Sequence, residues 1–288
     1  MHTGEEIKMA KLKIKFPRYI GRLAFGLAAL LLLGFGNMAK AQTIAELKAK
    51  GALVVGVQAE NPPWGFVDSN SQPAGFDVDI AKLMAADMGV KLEMVPVTIA
   101  NRIAQLATGK VDVLAAVMGM YPDRTKAVQF SKPYSTVDIL VVGKKELNIK
   151  DYPDLVGTRL ATSRASAMDI ALTKALPPGT PIQRFDTDTA NVQALLSGQV
   201  DVIGVPNSFM ANIKKIAGPD KFDTKFRINR QYNGITVRLG QKEFVDWINE
   251  FIDRNTANGK LNDLYKTWFD QPFPEMPKEV PGIPFTVQ

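Results

Sequence analysis

The side chains able to do chemistry are few. The 288-residue chain has no cysteine and a single histidine, His2. Without cysteine there is no thiol nucleophile, no disulfide and no lipid-bearing cysteine behind a leader. His2 falls in a segment expected to be removed, so imidazole catalysis and histidine-based zinc sites drop out as well. Arginine, lysine, tyrosine and carboxylate remain for binding or proton transfer. Arg124 is the first candidate. It closes the stretch VMGMYPDR, Val117 to Arg124, between an apolar run and a predicted helix start. A guanidinium offers paired donors to a carboxylate, and the free N–H groups of a helix start add positive potential beside it. The same position equally suits a solvated arginine in a first helical turn.

Arg102, in NRIAQLATG, is the second candidate cation; an outward-facing arginine on an amphipathic helix is its alternative. Asp77 and Asp79, in GFDVD, read as helix-start acids that suit the dipole rather than as an acid–base pair. DSNSQPAGFDVD, from Asp68, imitates a calcium loop. It has Pro73 where the sharp turn needs glycine and an aspartate where the bidentate glutamate belongs, so no metal site is expected. No cofactor is implied either.

The elements that must position these residues begin after a leader. Lys8, Lys11, Lys13, Lys15, Arg18 and Arg22 precede the apolar run LAFGLAALLLLGFG and then AKA at Ala39–Ala41. That order predicts a signal peptide over residues 1–41, with Met9 an alternative start. The apolar run is shorter than a bilayer requires. Residues 1–41 hold seven of the 35 Lys+Arg and two of the 29 Asp+Glu, leaving 28 minus 27, or +1, for the mature chain. The formal charge of +6 therefore belongs mostly to the leader and is no argument for nucleic acid or an anionic membrane.

LATGKVDVLAAV, from Leu106, and LLSGQVDVIGVP, from Leu195, are near-repeats. Each reads as a helix end, a glycine stop and a buried strand with an aspartate near its start. Asp112 and Asp201 are read as structural members of this repeat. The rest alternates strand and helix, including the strands ALVVGV, KLEMVPV, TRLATS and IQRFD and the helices DVDIAKLMAADMG, SAMDIALTKAL and TANVQALLSG. The expected fold is α/β: two lobes, each a mixed sheet flanked by helices. STVDILVVGKK and NRQYNGITVRLG read as two strands crossing between the lobes. The predicted division is residues 42–137 for the first part of lobe 1, 138–232 for lobe 2, and 233–288 for a return to lobe 1 with C-terminal helices and a proline-rich tail.

At GFDVDIAKLMAADM, NPPWGF, NRIAQLATGKVDV, PDRTKAVQFSKPY and NEFIDRNTANGKLNDLYKTWF the chain resembles the family 3 extracellular solute-binding proteins. These are the periplasmic receptors of polar amino-acid ABC importers, and the matches run collinearly through nearly all of the mature chain. The resemblance implies the two-lobed periplasmic binding protein fold, joined by two hinge strands and closing on ligand. It also implies a membrane permease and an ATPase as partners of a monomeric periplasmic protein.

It further implies site residues. Arg124 would grip the ligand's α-carboxylate, and Arg102 would meet a side-chain carboxylate, as in relatives with an NRI segment. Trp64 would wall the ligand, with core packing as its alternative; Glu60 would border it. Gly119 stands where relatives carry Ser or Thr and could offer only backbone, and Val117 also lacks the hydroxyl. Ser166 would contribute its hydroxyl or cap a helix. Relatives place an aspartate for the ligand's ammonium just after the second repeat, where this chain has Pro206 or Asn207. The expected function is therefore a receptor for a polar, possibly acidic, amino acid or a related small carboxylate. The alternative is an exported prephenate or arogenate (cyclohexadienyl) dehydratase on the same fold, with Glu60 the first suspect for its proton donor.

Overall fold

The computed structural model describes residues 43–284; the expected signal segment lies outside them. In chain order the main elements are α1 (Ile44–Lys50), β1 (Ala52–Gln58), β2 (Glu60–Asn61), β3 (Gly65–Val67), β4 (Pro73–Ala74), α2 (Phe76–Met88), β5 (Lys91–Val97), α3 (Arg102–Ala107) and β6 (Val113–Leu114). A 3₁₀ turn, Pro122–Lys126, leads to β7 (Val128–Lys144), β8 (Leu160–Ser163), α4 (Ala167–Ala175), β9 (Ile182–Phe185), α5 (Asp188–Leu196) and β10 (Val202–Pro206). After a second turn at Asn207–Phe209 come α6 (Met210–Ala217), β11 (Phe222–Arg238), α7 (Lys242–Ala257) and α8 (Lys260–Phe269).

Eight strands hydrogen-bond in the order β5-β1-β6-β11-β7-β10-β8-β9. β5, β1 and β6 are mutually parallel at one end, and β10, β8 and β9 at the other. The antiparallel pair β7–β11 runs between them, each strand 17 residues long. An ordinary strand has five or six residues. These are longer because each serves both lobes: β11 pairs β6 through Thr236 and Leu114, whereas β7 pairs β10 from Ile139 to Gly143. Register shifts flank Gly234, and such bulges bend a strand. At the crossing, Asp138 faces Arg230 as an ion pair at 3.0 Å, and Asn233 Nδ2 donates to Ser135 Oγ.

Apolar side chains of α2, α7 and α8 cover the lobe 1 strands, with Phe76, Met84, Phe244 and Phe251 buried against Leu53 and Val55. Lobe 2 packs Val192 and Leu195 of α5 and Ile213 of α6 on Ile203 and Val205. Within lobe 1, Gly75 at φ 127 allows the turn into α2 to pass its neighbour. A Cβ there would stand 2.3 Å from the Trp64 carbonyl oxygen.

The first repeat forms a shorter strand than VDVLAAV suggests. Ala115 still donates to Gly56 of β1, but then the chain changes partner: the Gly234 N–H donates to Met118 and the Met120 N–H to Tyr232, both links to β11. Residues 115–121 thereby become a loop at the hinge. The repeat aspartates do structural work. Buried Asp112 accepts from the Val54 N–H and Lys50 Nζ, each at 2.9 Å. Asp201 pairs with Arg159 at the entry to β8 and with Lys144 at the end of β7. Asp68 caps its own turn, accepting from the Asn70 and Gln72 N–H groups, and no cluster able to hold a metal occurs among the described residues.

Replacing Asp112 by alanine strands the part-buried Val54 N–H. Urea denaturation of Asp112→Ala should show a loss of ~1–3 kcal/mol in unfolding free energy.

Candidate functional site

Where the lobes meet beside the β7–β11 crossing, they leave a small cavity of about 20 Å³. Lobe 1 contributes Gln58, Asn61, Arg102 and Val117; lobe 2 contributes Ser166, Met168, Asp188 and Pro206; Ile139 and Gln231 come from the crossing strands. A second cavity of about 100 Å³ adjoins it, sharing Gln58, Asn61, Ile99 and Asp188.

Two guanidiniums are buried at this interface, Arg102 in the cavity lining at 4% exposure and Arg124, outside the lining, at 5%. Arg102 opens α3, whose short first turn directs it inward. Its Nη1 donates to the carbonyls of Ala116 and Val117, while Nε has no partner among the described groups. Arg124 sits on the 3₁₀ turn. It lies against the Tyr121 ring at 5.3 Å and donates Nη1 to Gly119 O and Nη2 to Ala165 O, each at 2.8 Å. Ala165 belongs to lobe 2, so Arg124 bridges the interface. Neither arginine forms an ion pair among the described residues. Burial lowers the pKa of Arg124 to about 10. Burial, with the neighbouring charge of Arg124, lowers that of Arg102 to about 9. Both stay charged at neutral pH and incompletely compensated, a condition that an anion relieves.

The carbonyls that receive these donors come partly from strained backbone. Val117 has φ 49 and Ala165 φ 56, the left-handed region that a β-branched residue seldom enters. Such outliers persist where surroundings over-determine them. At Val117 the surroundings are Asp77: one carboxylate oxygen accepts from the Val117 N–H at 3.0 Å, the other from Tyr134 Oη at 2.7 Å. Asp77 is therefore more than a helix-start acid. Complete burial pushes its pKa up to about 7, against the opposing effect of those hydrogen bonds and of Arg102.

Of the predicted site residues, Arg102 and Ser166 line the cavity, whereas Arg124 and Gly119 lie outside its lining, joined to each other by a hydrogen bond. Ser166 lines the cavity and also caps α4, its Oγ accepting from the Asp169 N–H. A Cβ on Gly119 would stand 2.4 Å from the Gln231 amide. The bare backbone thus admits a polar side chain from β11 where relatives are expected to carry a hydroxyl. Glu60 lies at the rim: its carboxylate is exposed and its carbonyl accepts from Thr189 Oγ1 of lobe 2.

Trp64 and Asn207 are placed elsewhere. Trp64 is buried in an aromatic core, 4.6 Å from the Phe269 ring and 5.8 Å from Phe76, and Asn61 takes the wall position. The loop turns between those two residues, the Trp64 N–H donating to Asn61 O, so they face different ways. Asn207 is exposed beyond the end of β10. Pro206 faces the cavity, and successive residues at a strand end point to opposite sides. Asp188, Asn61, Gln58 and Gln231 carry no motif. Only Asp188 had a local signal, since Thr187 before it caps α5 through the Ala190 N–H, making Asp188 the first helical residue.

Known proteins resemble this chain over most of its length. The family described as bacterial extracellular solute-binding proteins, family 3, matches residues 53–271. The chain is 26% identical over 257 residues to the L-cystine-binding protein TcyJ of Escherichia coli (strain K12), covering 87% of this chain and 96% of that one. Among solved structures it is similar to a solute receptor for L-cysteine of Neisseria gonorrhoeae, at 30% identity and TM-score 0.73, over 79% of this chain and 93% of that one. It is also similar to an ancestral amino acid-binding protein described as a precursor of cyclohexadienyl dehydratase. That match has 31% identity and TM-score 0.71, over 78% and 99% of the two chains.

The elevated pKa of Asp77 has a defined consequence. An unfolded aspartate titrates near 3.8, so between about pH 4 and 7 the folded protein binds the extra proton and stability falls as pH rises. Asp188, raised to about 6, acts in the same direction over a narrower window. Urea denaturation across this range should show a shallower decline for Asp77→Asn than for wild type.

Proposed function

This chain belongs to the bacterial extracellular solute-binding proteins, family 3, and we propose that it is the periplasmic receptor of an ABC importer for a polar amino acid or a related small carboxylate. The observation that carries this reading is the pair of guanidiniums buried between two lobes without a carboxylate partner among the described residues. A solute carboxylate entering the cleft replaces backbone carbonyls as their acceptor with a full charge in a suitable planar geometry. The lobes part to admit it and close on it. Ligand drives closure because groups of lobe 1 such as Arg102 and of lobe 2 such as Ser166 line one cavity, and so reach it at once, only when the lobes are together.

In this reading the mature protein is a monomer released by cleavage after Ala41. Its lobes divide within the β7–β11 crossing, near residues 137 and 232. The closed form presents the solute to a permease driven by an ATPase. No helix among the described residues is long and apolar enough to cross a membrane. The protein binds and releases its ligand unchanged. A dehydratase would need a proton donor poised in the cleft, and the Glu60 carboxylate is exposed at the rim.

Calorimetric titration with the common L-amino acids, L-cystine and small mono- and dicarboxylates should identify at least one ligand, and silence across that panel overturns the reading. For that ligand, Arg124→Ala removes charge-assisted hydrogen bonds worth ~1.5–3 kcal/mol. Kd should rise about 10- to 100-fold. Prephenate should be left unconsumed in an ultraviolet assay.

A further inference from the structure

Pro206 faces the cavity from the end of β10 and offers neither charge nor an N–H. Lobe 2 nevertheless brings one carboxylate to the cleft. Asp188, the first residue of α5, is 3% exposed and lines both adjoining cavities. Its side-chain hydrogen bond is to the Ser163 hydroxyl, on Oδ1 alone, and it forms no ion pair among the described residues. An aspartate at this depth without a direct ion pair is uncommon, because burial of a charge is costly unless it is paired, and here only the more distant charge of Arg102 acts on it. Its neighbour Thr189 hydrogen-bonds Glu60 O in lobe 1, so the first turn of α5 is the edge of lobe 2 that meets lobe 1 on closure. Facing it there are Gln58 and Asn61, the latter with its Oδ1 buried and unpartnered.

We propose, resting on the receptor reading above, that Asp188 is the counter-charge for a cationic amino group of the ligand, which makes the solute a zwitterion held by arginines of lobe 1 and a carboxylate of lobe 2. The role of an acid at the end of β10 is moved to the start of a neighbouring helix. A ligand ammonium between Asp188 and Asn61 Oδ1 gives the carboxylate a direct cation and the amide oxygen its missing donor, and it does so only in the closed arrangement. Asp188 thereby contributes to specificity and to closure together.

The surroundings also set a pH signature. The charged or titratable groups around Asp188 are Arg102 from α3, with Arg124 behind it, Asp77 beyond them and Glu60 at the rim; Ser163 of β8 donates the hydrogen bond. Burial raises the Asp188 pKa to about 6, partly offset by Ser163 and Arg102. Acidification through pH 6 should therefore weaken an ammonium-bearing ligand. An amino-free carboxylate shares every other group but gains nothing from the Asp188 charge, so the difference between the two isolates this residue.

The test is calorimetry on wild type and Asp188→Asn with the L-amino acids and L-cystine, each beside its amino-free analogue: propionate for alanine, succinate for aspartate, glutarate for glutamate. The inference expects wild type to bind an amino acid at least ~100-fold more tightly than its analogue. Asp188→Asn should lose about that factor for the amino acid while binding the analogue within about threefold of wild type. Pro206→Asp added to Asp188→Asn should restore part of the loss. Should Asp188→Asn not fold, wild type alone decides: from pH 7.5 to about 6, where the analogue stays largely ionised, the amino acid must weaken relative to its analogue. Unchanged amino-acid affinity in Asp188→Asn, or a wild type that prefers the amino-free partner, overturns this inference and leaves the receptor reading standing. A wild type that binds nothing in the panel overturns both.

Discussion

The burial of Arg102 and Arg124 at the lobe interface is the constraint around which the rest of this structure is arranged. Moving a guanidinium out of water costs several kcal/mol even after relaxation, and here Arg124 lies close enough to lower the proton affinity of Arg102. The fold compensates with backbone rather than with carboxylates. Val117 and Ala165 hold left-handed conformations, and their carbonyls are among those that accept from the two arginines. Strain, hydrogen bonding and charge are thus one feature. Carbonyl dipoles hold a cation in position without neutralising it, which leaves the attraction for an anion in place.

This arrangement depends on a support behind it. Asp77 fixes Val117 through its N–H and holds Tyr134 with its other oxygen, tying the loop to α2 and β7. The signature GFDVD therefore acts through the backbone of a segment 40 residues further along. Gly75, immediately before it, permits the close approach to Trp64 that lets α2 start where it does. The glycine and the aspartate belong to one device that aims the loop carrying Met118 to Tyr121 at the hinge.

The crossing strands contribute more than connection. Gln231 of β11 reaches into the space left by Gly119 and lines the cavity, so a hinge residue sits within the site itself. A change in the angle between lobes moves this amide relative to Val117 and Asn233. Two apparent losses, the hydroxyl at position 119 and the acid at position 206, are met by side chains from other elements. Substitution at one position of a cleft is balanced across space, and neighbours in sequence give little sign of it.

The amino-acid sequence by itself determined the class of chemistry, the alternation of strand and helix, and the repeat that announces two lobes. It did so because composition and periodicity are local properties. GKVDV and GQVDV each stop a helix and start a buried strand wherever they occur. Arg124 and Arg102 were candidates through the family resemblance, and their burial at the lobe interface was decided by tertiary structure. Which residues face the cleft was decided only by tertiary structure. Trp64 reads as a wall and is core; Asn61, three residues earlier, is wall. Asn207 reads as a contact and points to solvent, whereas Pro206 faces the cavity. Asp188 carries no motif and becomes a buried acid because α5 begins where lobe 1 arrives. The physical reason is the same each time: local pattern fixes the direction of a side chain relative to its own element, but long-range pairing decides what stands opposite.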